Sequence, residues 1–209
     1  MAITAAMVKE LREETSAGML DCKKALAATA GDMEAAVTWL RERGIAKAVK
    51  KEGAVAAEGL CYYAVSGNSR ITFELNSQTD SVAQNAKFLA LLEQVAEIIL
   101  NSSANNTEEA LNVEVEGKTL ATIILEASGV IGEKISLRRV SRITKAENEV
   151  FGAYKHMGGR IVTIAILEGE DETVAKDVAM QIAALKPEYT DRSEVSAEYI
   201  AHEEEILLA

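Results

Sequence analysis

The sequence predicts an α+β protein, in which an N-terminal helical segment precedes a core of two repeated small antiparallel sheets covered by helices. Three observations support this prediction. Apolar residues recur at helical spacing through the first segment, and apolar and polar residues then alternate as in a strand at 71–75. A strand–turn–strand–helix pattern occurs twice, at 63–82 and at 154–174. We expect a helical domain at 1–54, a first core subdomain at 55–146 and a second at 147–209.

The first segment predicts three short helices. Thr4 is a suitable N-cap for the first, and Gly18 separates it from the second. Gly31 and Asp32 end the second helix and cap the third, which Gly44 is expected to end. The apolar positions at helical spacing are Met7, Val8 and Leu11, then Leu20, Cys22 and Leu26, then Met33, Ala36, Val37 and Leu40. Helices this short cannot each bury a face alone, so they should pack as a bundle.

The period then changes to that of strands. Ile71, Phe73 and Leu75 point to one face, and Thr72 and Glu74 point to the other. An earlier strand, CYYAV, is joined to this one by the turn sequence SGNS. Beyond it we expect a helix from residue 82, a polar loop NSSANNTEE, a helix at 120–128 and a strand within KISLRRVSRI.

The repeat predicts that the second half of the core is incomplete. In the aligned copies Arg70-Ile71 corresponds to Arg160-Ile161, and Val82-Ala83 corresponds to Val174-Ala175. The first copy continues into a closing strand at 135–143. The second copy reaches Ala209 without a counterpart to that strand. An unpaired sheet edge should remain there.

Composition excludes several functions. The net charge of −11 argues against nucleic acid as the main ligand, because phosphate binding needs concentrated cations. The sequence has no phosphate-binding loop motif and no metal-type ligand spacing, and its two histidines, His156 and His202, lie in no catalytic pattern. Cys22 and Cys61 are the only cysteines and suggest free thiols in a reducing compartment. No long apolar run or secretory signal is visible, so we expect a cytoplasmic protein that contacts no membrane.

Charge is distributed unevenly along the chain. Residues 41–51 contain five basic residues and one acidic residue, whereas 168–209 contain twelve acidic and three basic residues. The basic stretch is interpreted either as a solvated helix face or as a docking patch for an acidic partner.

Two motifs carry a resemblance to a known family. The run AGMLDCKKAL at 17–26 follows VKELREET, and NSQTDSVAQN occupies 76–85. Together they resemble the elongation factor Ts family of nucleotide-exchange factors, whose partner is elongation factor Tu. The resemblance implies a ubiquitin-associated-like three-helix domain at the N-terminus, followed by a basic linker helix from about Ala46. Long-form members of the family also insert a helical hairpin and then return with a closing strand, and we expect this chain to lack both.

The resemblance implies a role for Thr79, Asp80, Ser81 and Val82. In the family an Asp-Phe pair at this place wedges into elongation factor Tu beside its magnesium site and loosens Mg²⁺ and then GDP. Here Asp80 is retained, but serine replaces the aromatic anchor, so the wedge should be weakened. The residue types alone leave another interpretation open, because Thr79, Asp80 and Ser81 are all good N-cap residues.

The second copy of the repeat also contains residues that the resemblance places at the partner. Ile161 belongs to the Arg-Ile pair of that copy, which is followed by Val162 where the family usually has glycine. Gln181 stands where family members often have a histidine directed toward the phosphate loop of the partner; glutamine can hydrogen-bond but carries no charge.

The N-terminal segment is expected to dock on the partner. By motif match, the docking residues are Lys9, Arg12, Met19, Leu20, Lys23 and Lys51. For Met19 and Leu20 the alternative is packing in the core of the bundle.

The leading functional interpretation is a non-enzymatic exchange factor that needs no cofactor and promotes GDP release from elongation factor Tu. One alternative is a protein that docks on elongation factor Tu without efficient exchange. Another is a stabilising subunit of a larger assembly, for which no specific residue signal is found.

Overall fold

The structure is a computed structural model that describes residues 3–15 and 17–208. The chain folds into two compact units. The first comprises the described residues of Met1–Glu147 and Lys155–Val162, and the second those of Asn148–Tyr154 and Thr163–Ala209. The outer limits expected for the first and last domains, Met1 and Ala209, lie outside the described residues, and the expected boundaries near 54 and 146 stay predictions.

Three N-terminal helices form where the sequence predicts them. They are α1 (Ala5–Thr15), α2 (Met19–Ala28) and α3 (Met33–Lys50). Thr4 Oγ1 accepts the Met7 amide at 3.3 Å, and Asp32 Oδ1 accepts the Ala35 amide at 2.9 Å, so both predicted N-caps are confirmed. The buried side chains of this bundle are Val8, Leu11, Cys22, Ala25, Leu26 and Ala36.

Gly44 does not end the third helix, so this prediction is wrong. Helix α3 continues through Gly44 to Lys50, and no separate linker helix begins near Ala46. Gly44 instead permits a close helix contact, because its backbone lies against Gly129 of a later helix. A local pattern cannot distinguish a helix-ending glycine from one that permits two helices to approach closely.

The first unit also contains a three-stranded antiparallel sheet. Its strands are β1 (Glu58–Ser66), β2 (Ser69–Ser77) and β5 (Ser136–Thr144), in the order β1-β2-β5. Tyr63 pairs with Thr72 across the first ladder, and Phe73 pairs with Val140 across the second. Ile71, Phe73 and Leu75 are all buried, which confirms the predicted apolar face of the central strand.

Glu74 lies on the opposite face of the strand, and its side chain is also buried. Its carboxylate accepts hydrogen bonds from Arg138 at 3.1 Å, Arg139 at 2.7 Å and Asn76 at 3.0 Å. Burial raises the pKa of this carboxyl, but the three hydrogen bonds outweigh burial, and the net pKa lies below its ordinary value. The second face of the sheet is therefore partly covered by a charged cluster.

The helices on the sheet are more divided than the sequence predicted. The helix expected from residue 82 is two helices, α4 (Asp80–Ala83) and α5 (Ala86–Leu100), because Asn85 Oδ1 caps α5 through the Lys87 amide at 2.9 Å. The predicted polar loop ends in a short helix, α6 (Thr107–Leu111), whose cap is Asn106. A two-residue pairing of β3 (Glu114–Val115) with β4 (Lys118–Thr119) leads into α7 (Leu120–Ile131), the predicted second helix.

The second sheet has two strands within the described chain, as the repeat predicted. They are β6 (Glu149–His156) and β7 (Ile161–Glu168), joined through a 3₁₀ turn at Met157–Gly159. Two helices follow, α8 (Glu172–Leu185) and α9 (Ala197–Leu208). Within the second unit, Gly152 of β6 lies so close to α8 that an added Cβ would stand 1.8 Å from the Ala175 carbonyl oxygen. The described helices include none long and apolar enough to cross a membrane.

Candidate partner-binding site

The motif SQTDSV lies where the central strand β2 gives way to the short helix α4. Thr79 occupies the N-cap position, and Asp80 and Ser81 begin the helix. All three residues are exposed, whereas Val82 packs against the core and Ala83 is buried. The partly buried Val82 and the buried Ala83 fix the helix on the sheet, and the first three residues face outward.

The interpretation of these residues as N-cap residues is confirmed for the position of Thr79, but not for a side-chain cap. Thr79 makes no side-chain cap hydrogen bond, and Asp80 and Ser81 stand inside the helix rather than before it. The second copy of the repeat provides a comparison, because there Asp171 caps α8 by accepting the Thr173 and Val174 amides at 2.9 and 3.1 Å. Among the described residues, the Asp80 carboxylate has no hydrogen-bond or ion-pair partner. An exposed acid with no structural partner is available to another molecule.

Glu133 holds the residues that precede Asp80. One carboxylate oxygen accepts the backbone amides of Gln78 and Thr79 at 3.1 and 3.0 Å, and the other accepts the Thr79 hydroxyl at 2.8 Å. Glu133 is not among the site residues predicted from the sequence. No local pattern could have identified it, since Glu133 meets the motif across more than fifty residues of chain.

A cavity of about 300 Å³ adjoins Asp80 within the first unit. Two exposed apolar side chains, Leu89 and Met157, line it together with the cation of Arg160. Arg160 lies 3.9 Å from Glu58, a loose ion pair between two half-exposed groups. Ile161, which follows directly in β7, is half-buried, and so is Val162. Asp80 thus lies beside the apolar side chains of Leu89 and Met157 and beside Arg160, none of which belongs to the motif.

Met19 and Leu20 lie on the surface of the N-terminal bundle, with exposed fractions of 58% and 64%. The alternative of core packing is therefore wrong for both residues. Lys9, Arg12 and Lys23 are also exposed, and Lys9 forms an exposed pair with Glu13 of its own helix at 3.6 Å. The bundle carries adjacent exposed apolar side chains and several cations.

The basic stretch 41–51 is neither a simple solvated face nor a free patch, because most of its charges have partners in the chain. Arg41 and Lys47 pair with Glu126 and Asp21, at 2.5 and 3.0 Å. Lys51 is predicted to contact the partner, but its ammonium donates a hydrogen bond to the Gly132 carbonyl oxygen. Arg43 lies over the Trp39 ring, 4.9 Å from its centroid.

Gln181 lies exposed on α8 in the second unit. Exposure leaves its amide accessible to another molecule, which agrees with the role that the family resemblance implies. Its assignment to the partner surface stays a prediction.

The two thiols are free and have no reactive setting. Cys22 is buried in the N-terminal bundle. Burial raises the pKa of the Cys61 thiol, the nearby Glu74 carboxylate raises it further, and Arg139 lowers it in part. The described residues contain no cluster of three or more acids, histidines or cysteines that could hold a metal ion.

These features describe a two-unit α+β chain that carries an exposed acidic motif and exposed apolar side chains on its N-terminal helices. The family model described as "Elongation factor TS" matches residues 78–209. A relative named "Elongation factor Ts" in Acholeplasma laidlawii (strain PG-8A) is 52% identical over 208 residues, which cover 99% of this chain and 70% of that protein. The chain belongs to the elongation factor Ts family.

Proposed function

We propose that this chain promotes GDP release from elongation factor Tu during translation elongation. The observation that carries the proposal is the state of Asp80, which is exposed and lacks a described partner while Glu133 holds the residues before it. The membership of the chain in the elongation factor Ts family supports the choice of partner.

In this proposal the chain acts by binding and not by chemistry, so it needs no cofactor of its own and is not an enzyme. The bundle docks through Met19, Leu20 and neighbouring cations, while Asp80 enters beside the magnesium site of the partner. Bound nucleotide depends on a Mg²⁺ ion held in near-ideal octahedral geometry. A rigid group that displaces the surroundings of this ion weakens GDP binding without touching the nucleotide. We expect this to occur in the cytoplasm, without direct contact to nucleic acid.

A second candidate function is docking on elongation factor Tu without efficient exchange. The observation that favours it is Ser81, a small exposed residue where the family motif has a large aromatic one. An aromatic anchor at an interface commonly contributes about 2–4 kcal/mol, which serine cannot replace. Gln181 also favours this second function, because it carries no charge where family members often have a histidine.

The test is the release of fluorescent GDP from elongation factor Tu at increasing concentrations of the chain. An exchange factor raises the release rate to a plateau, and Asp80→Ala lowers that plateau. A matched control is Glu97→Ala, which removes an exposed acid from α5 that has no role in the site. Tight binding with a release rate equal to the spontaneous rate would establish the docking function instead.

A further inference from the structure

The turn after α7 places one carboxylate against the Asp80 motif. Helix α7 ends at Gly132, which adopts φ +89°, and the chain reverses there so that Glu133 faces the end of β2. All three donors to Glu133 belong to Gln78 and Thr79, the two residues directly before Asp80.

These two residues receive little support from regular structure. The β1-β2 ladder ends at Ser77, and the β2-β5 ladder ends one residue earlier, at Asn76. Helix α4 has only four residues, too few for a helix to be stable by itself. The Gln78 and Thr79 amides therefore lie between the sheet and the helix, and the carboxylate of Glu133 satisfies both.

The turn is itself fixed to the end of α3. The Lys51 ammonium donates a hydrogen bond to the Gly132 carbonyl oxygen. The Lys134 ammonium donates one to the Glu52 carbonyl oxygen at 2.5 Å. The Lys134 amide also donates to the Gln78 side chain at 3.4 Å. Glu133 thus lies in a segment that is anchored to Lys51 and Glu52, the two residues directly after α3.

We propose that Glu133 is a positioning residue that orients Asp80 for nucleotide exchange. The inference deepens the proposed exchange function and rests on it. Glu133 does not need to touch the partner, because its effect is transmitted through Gln78 and Thr79. A group that must enter a site in one orientation loses effectiveness when its support becomes mobile.

The first test measures GDP release with Glu133→Ala, Glu133→Gln and the control Glu97→Ala. Glutamine keeps a side-chain hydrogen-bond acceptor, so Glu133→Gln should release GDP faster than Glu133→Ala. We expect Glu133→Ala to lower the maximal release rate about tenfold, as for loss of hydrogen bonds to a charged group, with little change in the half-saturating concentration. In the Asp80→Ala background, Glu133→Ala should cause no further loss. Independent, additive losses, or an unchanged maximal rate in a chain that does promote release, would overturn the proposal.

The second test uses the chain alone and does not depend on exchange activity. Amide hydrogen exchange at Gln78 and Thr79 should be faster in Glu133→Ala than in the unaltered chain, with the strand amides of 70–76 unchanged. If the unaltered chain fails to promote GDP release, the proposed function is wrong, and this measurement still decides whether Glu133 orders the motif. Unchanged exchange at both amides would refute the positioning role.

Discussion

The backbones of Gly44 and Gly129 are in direct contact where α3 crosses α7. A Cβ added to Gly129 would stand 2.5 Å from the carbonyl carbon of Gly44, whereas one added to Gly44 would meet Gly129 at an ordinary 3.7 Å. Near the crossing, the Glu126 carboxylate of α7 accepts hydrogen bonds from Arg41 Nε at 2.6 Å and from Lys118 Nζ at 2.9 Å. The crossing joins the N-terminal helices to the helix that leads into the Glu133 turn.

The two glycines should therefore respond differently to alanine. Alanine for glycine within a helix ordinarily stabilises by roughly 0.5–1 kcal/mol, and Gly44→Ala should approach that gain. Gly129→Ala should instead lower the free energy of unfolding by about 1–3 kcal/mol, because the new methyl group meets backbone that cannot move aside. Urea unfolding of both variants checks this. Equal effects of the two substitutions would contradict the close crossing.

The exposed pair on α2 should contribute to partner binding and not to folding. We expect Met19→Ala with Leu20→Ala to weaken binding to elongation factor Tu by about tenfold or more, as for loss of apolar interface anchors. The thermal unfolding midpoint should stay nearly constant, because both side chains are already exposed. Val49→Ala, which truncates another exposed apolar residue, is the control. Calorimetric titration measures the affinity, and unchanged affinity would exclude this docking surface.

Restoring an aromatic residue beside Asp80 should increase exchange. Ser81→Phe adds a large apolar side chain at an exposed position, so it should raise the rate of GDP release without disturbing the core. Ser81→Ala is the control for loss of the hydroxyl. Stopped-flow fluorescence gives the release rate. If Ser81→Phe binds normally but releases GDP no faster, the wedge mechanism does not apply to this chain.

The ion pairs of Glu126 should make stability depend on pH in the acid range. Burial raises the pKa of this carboxyl, but hydrogen bonds from Lys118 and Arg41 outweigh burial and place the pKa below its ordinary 4.5. A folded-state pKa below the unfolded value stabilises the fold above pH 4.5, and this stabilisation is lost as pH falls through the folded pKa. The difference in unfolding free energy between the unaltered chain and Glu126→Gln should thus be constant near neutral pH and shrink below pH 4.5. A difference that does not vary with pH would show that the pairs contribute no net stability.

The second sheet should be less protected than the first. Strand β2 has a neighbour on each side, whereas β7 has only β6 within the described chain. We expect faster amide exchange in residues 161–168 than in residues 69–77 for a monomer at low concentration, because open strand edges exchange readily. Hydrogen exchange followed by mass spectrometry measures both strands. Equal protection would mean that another segment or chain covers the edge of β7.

Local sequence information was sufficient for the parts of the fold that depend on neighbouring residues. The alternation of Ile71, Phe73 and Leu75 predicted the buried face of β2, and Thr4 and Asp32 predicted two N-caps, because these interactions act within a few residues. The repeat predicted the two-stranded second sheet, and the motif at 76–85 indicated where the candidate site lies.

Contacts between residues far apart in the chain could not be predicted from local patterns. The local pattern at Gly44 predicts a helix end, but in the fold its backbone packs against Gly129. The strand alternation places Glu74 on the face opposite Phe73, but it does not indicate that Arg138 and Arg139 pair with its carboxylate. Glu133 carries no local signal, because its three hydrogen bonds exist only once α7 has packed on the sheet. The family and the position of Asp80 thus follow from the motifs alone. Only the packing of distant segments determined how Asp80 is held, because hydrogen bonds and helix crossings depend on distances in space and not along the chain.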